Sequence, residues 1–350
     1  MQNKGVPRRS RLDTKGIRRQ GSKEKGFRYG TPDGKLIREE RVLQRIVRLR
    51  IPPAWTNVRI AASDSEPLQA VGLDRKGRTQ YIYSSKFRSK REEEKFRRVV
   101  EFGEVLPKLR RQVLRDLKGS ELSRQRVVAS IVRLIDQKFF RVGNDKSAKS
   151  EDTYGLTTVR TDHVRIRKPN RVEFDFVGKW QKSHKKTFDD KEVASIIGDL
   201  CELGGKELFQ YVDHGRVLDI KDRHVNDYIQ TSIGEQFTAK DFRTWAGTLI
   251  CAMELAAHEP AGTKKERKRS IKKAIEATAG QLGNTPTVCR TSYICPRLLE
   301  DYVEGRPFEM LRKTRKGTPV AKLGLSIEER ALLKFLRETI ADRRSAKRAA

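Results

Sequence analysis

From Lys86 to Phe140 apolar residues recur at helical spacing, in KREEEKFRRVVEFGEVLPKLRRQVLRDL and then RQRVVASIVRLIDQKFF, with charged residues on the other faces. This pattern predicts long helices that turn Val, Phe, Leu and Ile towards a core. Upstream, REERVLQRIVRLRIPPAW predicts a short helix stopped by Pro52 and Pro53. Val58–Ala61 and then LQAVGLDRKGRTQYIYSS alternate apolar with polar around Asp74-Arg75-Lys76-Gly77, which predicts a hairpin in which Gly77 supplies the unusual backbone angle. Alternation returns between Thr157 and Phe188, predicting a three-stranded antiparallel sheet with turns at Lys168-Pro169-Asn170 and around Gly178. Helical spacing resumes at 190–200, 224–233, 239–257, 264–281 and 286–293, and closes with SIEERALLKFLRETIADRRSAKR, where Ser326 is the expected cap. The fold class is therefore α+β. A disordered basic arm is expected over 1–31, a small β-rich domain over 32–85, and a larger, mostly helical domain over 86–345.

Composition adds a partner. The 350 residues carry 77 Lys and Arg against 46 Asp and Glu, a net charge of +31. Such a field attracts polyanions and predicts nucleic-acid binding that weakens steeply with salt. The four cysteines, at 201, 251, 289 and 295, form no CxxC pair, and no HExxH motif or His/Cys cluster occurs. Bound metal and disulfides are thus not expected, and the thiols read as reduced residues of a cytosolic protein. No apolar stretch has the length of a signal peptide or a membrane span.

Two segments carry candidate chemistry. In KDFRTWAG, Thr238 followed three residues later by Asp241 has the form of a helix cap, so Arg243 would leave a helix's first turn, where anions are favoured. In LGNTPTVCRTSY, Thr285-Pro286 is a helix start; Asn284 precedes it and Tyr293 lies near its end. Residues nine apart face opposite sides of a straight helix, so the two share a site only if the segment bends or Asn284 lies off the helix. A tyrosine among fixed cations suggests a nucleophile for phosphorus; the plainer alternative is a half-buried tyrosine at a helix end.

IPPAW at 51–55, GRTQYIYS at 77–84, YGLTTVRTDHV at 154–164, FVGKWQKSH at 176–184, DFRTWAG at 241–247 and LGNTPTVCRTSY at 282–293 occur in one order over roughly residues 40 to 300. Together they resemble the type IB DNA topoisomerases, specifically the small poxvirus and bacterial branch. The resemblance implies a topoisomerase/tyrosine-recombinase-like fold and an isomerase that nicks one strand of duplex DNA through a 3′-phosphotyrosyl link. Supercoils would relax by strand rotation before religation, with neither ATP nor metal as a cofactor. Tyr293 would be the nucleophile, Arg141 and Arg243 the two catalytic arginines, and Lys179 the general acid for the departing 5′-oxygen. Asn284 stands where viral and eukaryotic members carry histidine, as in bacterial members; its amide can donate a hydrogen bond but adds no charge.

The resemblance also assigns DNA contacts to Gln80, Tyr81 and Tyr83, with Tyr81 and Tyr83 on one strand face and Gln80 on the other. Lys182 reads as a phosphate or base-edge contact. His163, His184, Trp55 and Trp245 fall inside the motifs and read as packing or orienting residues. The expected protein is a monomer that encircles DNA, away from membranes and associated with the nucleoid. Two rivals stay open: a tyrosine recombinase, although Lys240 and Asp241 replace its HxxR box, and a non-catalytic DNA-coating protein.

Overall fold

The structure, a computed structural model, describes residues 10–145, 148, 151–168, 170–257, 262–306 and 320–349. The chain divides into two units, Met1–Glu94 and Lys95–Ala350. The boundary falls inside a helix rather than at the predicted residue 85.

The first unit is built on a five-stranded antiparallel sheet of order β2-β1-β3-β4-β5, from β1 (Ile17–Ser22), β2 (Gly26–Gly30), β3 (Thr56–Ile60), β4 (Leu68–Leu73) and β5 (Thr79–Tyr83). Two helices, α1 (Ser10–Lys15) and α2 (Glu40–Arg48), accompany it. The predicted hairpin is β4–β5, with Gly77 at φ 70°.

The expected disordered arm is a correction. Residues 1–9 lie outside the described residues, but 10–30 form α1 and two sheet strands. β1 lies between β2 and β3, pairing Arg19 with Tyr29 and Ile17 with Ile60. One of its two arginines serves the fold. Arg19 donates to the carbonyls of Pro52 (3.2 Å) and Trp55 (2.6 Å) and lies 4.2 Å over the Phe27 ring. Leu12 and Ile17 are buried. Only a few apolar side chains anchor the segment, too sparse a signal to stand out among Gly, Ser and Arg.

The second unit takes most of α3 (Ser85–Asp116), followed by α4 (Arg124–Lys138). A three-stranded antiparallel sheet comes next, β6 (Val164–Lys168), β7 (Arg171–Gly178) and β8 (Lys182–Asp189). The stretch before β6 forms short 3-10 turns, Leu156–Thr158 and Thr161–His163, instead of the expected strand, since the Thr158 hydroxyl bonds locally to Gly155 O while that of Thr157 is drawn to Val142 O, distant in sequence. The helices α5 (Lys191–Glu202), α6 (Asp222–Ile233), α7 (Ala239–Ala256) and α8 (Lys264–Leu282) follow the prediction closely. A small hairpin, β9 (Gln210–Asp213) and β10 (Arg216–Asp219), was not expected; its turn sets both His214 and Gly215 at positive φ. After α9 (Pro296–Val303) the chain ends in α10 (Ile327–Ala349).

One buried polar network ties α10 to the core. Ser326 and Glu329 form a reciprocal cap, Glu329 N donating to Ser326 Oγ (3.0 Å) and Ser326 N to Glu329 Oε2 (2.8 Å). The Glu329 carboxylate also accepts from Arg110 on α3 (2.7 and 2.8 Å) and from Trp245 Nε1 on α7 (3.1 Å). Arg110 reaches Asp136 on α4 as well, at 2.8 and 2.9 Å. Burial alone would lower the Arg110 pKa, but the two carboxylates raise it above the ordinary arginine value.

Candidate active site

The site is assembled at helix ends. Asp241 accepts from Thr238 N (2.8 Å) and Thr238 Oγ1 (3.0 Å) and takes both donors of Arg98 (2.6 Å each), which fixes the first turn of α7. Arg243, just beyond that turn, is only 3% exposed. Its Nη1 donates to the Phe139 carbonyl and its Nη2 to the Leu282 carbonyl at 2.8 Å. One guanidinium thereby bridges the C-terminal ends of α4 and α8, where carbonyls lack helical partners.

Gly283 ends α8 in the left-handed region at φ 62°, and a Cβ there would also meet His184 Cε1 at 2.7 Å. Asn284 follows off the helix, held by its N–H to Ala279 O at 2.9 Å. The predicted cap is present: Thr285 Oγ1 accepts from Val288 N at 3.3 Å with Pro286 in the first turn. After that single turn the chain widens into a π-turn, Cys289–Tyr293, closed by Ile294 N to Cys289 O at 3.1 Å. The off-helix asparagine and the π-turn together resolve the conflict of residues nine apart.

Tyr293 is half-buried, with the Arg243 guanidinium 5.0 Å from the centre of its ring. Burial raises the phenol pKa, but Arg243, by charge and hydrogen bond, with Arg141 and Lys240 behind it, outweighs that and holds it below the ordinary value. Arg141 donates through Nη2 to Asn284 Oδ1 and to Gly283 O (3.1 Å). Burial lowers the pKa of both arginines, and Arg141 pushes that of Arg243 down further. Three buried donor atoms here have no protein partner: Arg141 Nη1, Arg243 Nε and Asn284 Nδ2. Buried donors left unpaired are costly, and three at one place suit a multivalent oxygen acceptor.

The structure thus brings together Arg141, Arg243, Asn284 and Tyr293. Lys179 and Lys182 are exposed in the turn between β7 and β8 and at the start of β8. In the first unit Tyr81 and Tyr83 share a face, their rings stacked at 6.2 Å, as alternation requires. Tyr81 is 44% exposed, whereas Tyr83 packs against Leu12, Leu68 and Val71. Gln80 Nε2 is engaged by Asp74 in the hairpin turn at 3.0 Å.

Residues 84–304 match the family model of the eukaryotic DNA topoisomerase I catalytic core. The chain is also 33% identical over 301 residues to DNA topoisomerase 1B of Acanthamoeba polyphaga mimivirus, covering 84% of this chain and 89% of the viral protein. This chain belongs to the type IB DNA topoisomerases. A second family model, the N-terminal domain of bacterial DNA topoisomerase IB, matches residues 26–74. DNA topoisomerase I of monkeypox virus is 24% identical over 281 residues, covering 78% of this chain and 85% of the viral one. Drosophila melanogaster DNA topoisomerase 1 is 27% identical over 219 residues, but those span 58% of this chain and 21% of the fly protein.

As a type IB topoisomerase the protein acts on DNA. Among the described residues no helix is long and apolar enough to cross a membrane, and no group of three His, Cys, Asp or Glu is placed to hold a metal ion. Sequence reasoning passed over one neighbour of this cluster, Lys186 on β8. Its ammonium donates to Lys138 O at 2.5 Å and lies 5.1 Å over the Phe140 ring. A lysine in a lysine-rich strand reads as solvated surface; the signal that could have found it is the alternation that sets it on one face with His184 and Phe188.

Proposed function

We propose that Tyr293 is the nucleophile of this topoisomerase and that Arg141, Arg243 and Asn284 hold the scissile phosphate. The phenol oxygen forms a bond to phosphorus, the bond to the 5′-oxygen breaks, and the DNA 3′ end is left on the tyrosine. The phenol proton passes to water. Lys179, on its exposed turn, supplies a proton to the departing 5′-oxygen. Rotation of the free end releases supercoils, and the reverse attack reseals the strand. One phosphodiester is exchanged for one phosphotyrosine ester, so the cycle is balanced without ATP.

The reading rests on the three unpaired buried donors beside a phenol whose pKa is held down. Donors fixed in advance stabilise charge developing on phosphoryl oxygens without reorganising, which is commonly the largest catalytic contribution. Arginine presents such donors as a planar fork. Tyr81 and the cationic Lys182 are DNA contacts in this reading, and the protein works as a monomeric clamp on the bacterial nucleoid.

The test is relaxation of a supercoiled plasmid in EDTA without ATP, wild type against Tyr293→Phe. Wild type is expected to relax the plasmid and to leave a covalent adduct on the 3′ side of the nick, and the variant to do neither. Relaxation by Tyr293→Phe would remove the assignment.

A further inference from the structure

We infer that Lys186 is a positioning residue for Arg141, acting through its hydrogen bond to the carbonyl at the end of α4. The inference rests on the proposed role of Arg141.

The segment between α4 and Arg141 is short and turns sharply. Phe139 caps α4 in the left-handed region, at φ 58°, its N–H donating to Ile135 O at 3.0 Å. The last carbonyls of a helix need partners from elsewhere. Here two cations from different elements supply them: Lys186 on β8 takes Lys138 O at 2.5 Å, and Arg243 on α7 takes Phe139 O. Phe140, 1% exposed, packs beneath the lysine, and Arg141 emerges directly after it. The hinge before Arg141 is thus held from the sheet side by one lysine and from the helix side by an arginine of the site itself. Loss of the lysine leaves a part-buried carbonyl unpaired and loosens the backbone from which Arg141 projects.

The surroundings are uniformly cationic. Burial first, then Arg243 on α7, Lys138 on α4 and Arg141, lower the Lys186 pKa to about 7; His184, two residues away on β8, feels the lysine in turn. Below that pH the ammonium makes a charge-assisted bond to the carbonyl. Above it the neutral amine still donates, but more weakly. The hold on Arg141 therefore slackens as pH rises through neutrality.

The test uses the full chain, a supercoiled plasmid relaxed under enzyme excess, and a labelled mixed-sequence duplex for affinity. Lys186→Met is expected to slow relaxation by up to about 10²-fold, the scale of small misplacements of a catalytic group, with duplex affinity within about twofold. Lys186→Arg keeps donor and charge, so it should recover most of the rate and erase the inflection expected of wild type near pH 7. Wild-type kinetics in Lys186→Met overturn the inference. So does an inflection that survives in Lys186→Arg, a readout that stands even if the methionine variant fails to fold. Tyr293→Phe runs in parallel: if it is inactive while the lysine variants behave as wild type, only the role of Lys186 falls; if it relaxes the plasmid, the underlying assignment falls with it.

Discussion

Arg141 Nη2 donates to Asn284 Oδ1, and the pair leaves Arg141 Nη1 and Asn284 Nδ2 buried without partners. The amide therefore does two things at once. Its oxygen orients a guanidinium, and its nitrogen, buried without a partner, is the donor that the proposed mechanism turns to an oxygen of the phosphate. A protonated histidine at this place could donate but could not accept from Arg141.

Asn284→Ala removes both contacts. Removing one preorganised donor typically costs about 10² to 10³ in rate. The cleavage rate, measured as accumulation of covalent adduct under enzyme excess, should fall by at least that order. Asn284→Asp keeps the acceptor but puts a negative charge beside the phosphate, so it should be slower than the alanine variant. An aspartate variant as fast as wild type would refute the donor role.

Gly247 on α7 sets how closely the backbone of Tyr293, the proposed nucleophile, approaches. A Cβ there would lie 2.7 Å from Tyr293 O and 3.1 Å from Tyr293 Cβ. Gly247→Ala should slow cleavage by displacing the π-turn, even though alanine favours a helix by about 1 kcal/mol. Gly280 on α8 is the control, since a Cβ added there would meet nothing within 4 Å. Gly280→Ala should raise stability by roughly 0.5–1 kcal/mol in urea unfolding and leave activity unchanged.

Glu329 is fully buried and binds Arg110, Trp245 and its own cap. Glu329→Gln leaves the Arg110–Asp136 pair without the second carboxylate that balances its surroundings. Breaking one partner of a buried ion pair costs about 3–5 kcal/mol, so a loss of that order in unfolding free energy is expected from urea titration. A change below about 1 kcal/mol, the scale of an exposed pair, would mean that solvent reaches the network.

Deleting residues up to Ser22 separates two readings of the N-terminal segment. If 10–22 were merely a basic arm, truncation would weaken DNA binding in a salt-dependent way and spare the fold. β1, however, is flanked by β2 and β3, and Ile17 packs with Ile46, Val58 and Ile60. The truncated protein should lose cooperative unfolding of the first unit and expose Trp55, which packs at that core. Intrinsic fluorescence during urea titration would register both.

That segment also marks where sequence reasoning stops. Periodicity located α3, α4, the three-stranded sheet and α5 to α8, because each carries many apolar residues at one spacing. It also placed the caps at Thr285 and Ser326, where short-range chemistry decides. β1 failed because Arg19 is spent on the Pro52 and Trp55 carbonyls, a long-range use that composition assigns to solvent. The meeting of Arg141, Arg243, Asn284 and Tyr293 was suggested by resemblance and could not follow from spacing, since the π-turn that aims Tyr293 has no separate signature.

His184 gives the protein a specific acid sensitivity. It is 5% exposed, and burial, then Lys186, Arg141 and Arg243, lower its pKa from 6.5 to about 4. The unfolded chain takes up the proton near 6.5, whereas the folded chain refuses it until about pH 4. Protonation between these values therefore favours unfolding, and stability falls as the solution is acidified through this window. At the limit of full burial the loss approaches roughly 3 kcal/mol, from about 1.4 kcal/mol per pKa unit. His184→Phe keeps an aromatic ring between Phe140 and Phe176 and has no proton to refuse. Urea unfolding compared at a pH just above the folded value and at neutrality should show a shallower pH dependence in the variant by an amount of that order. An identical dependence in both proteins would mean that the imidazole already titrates freely in the folded state.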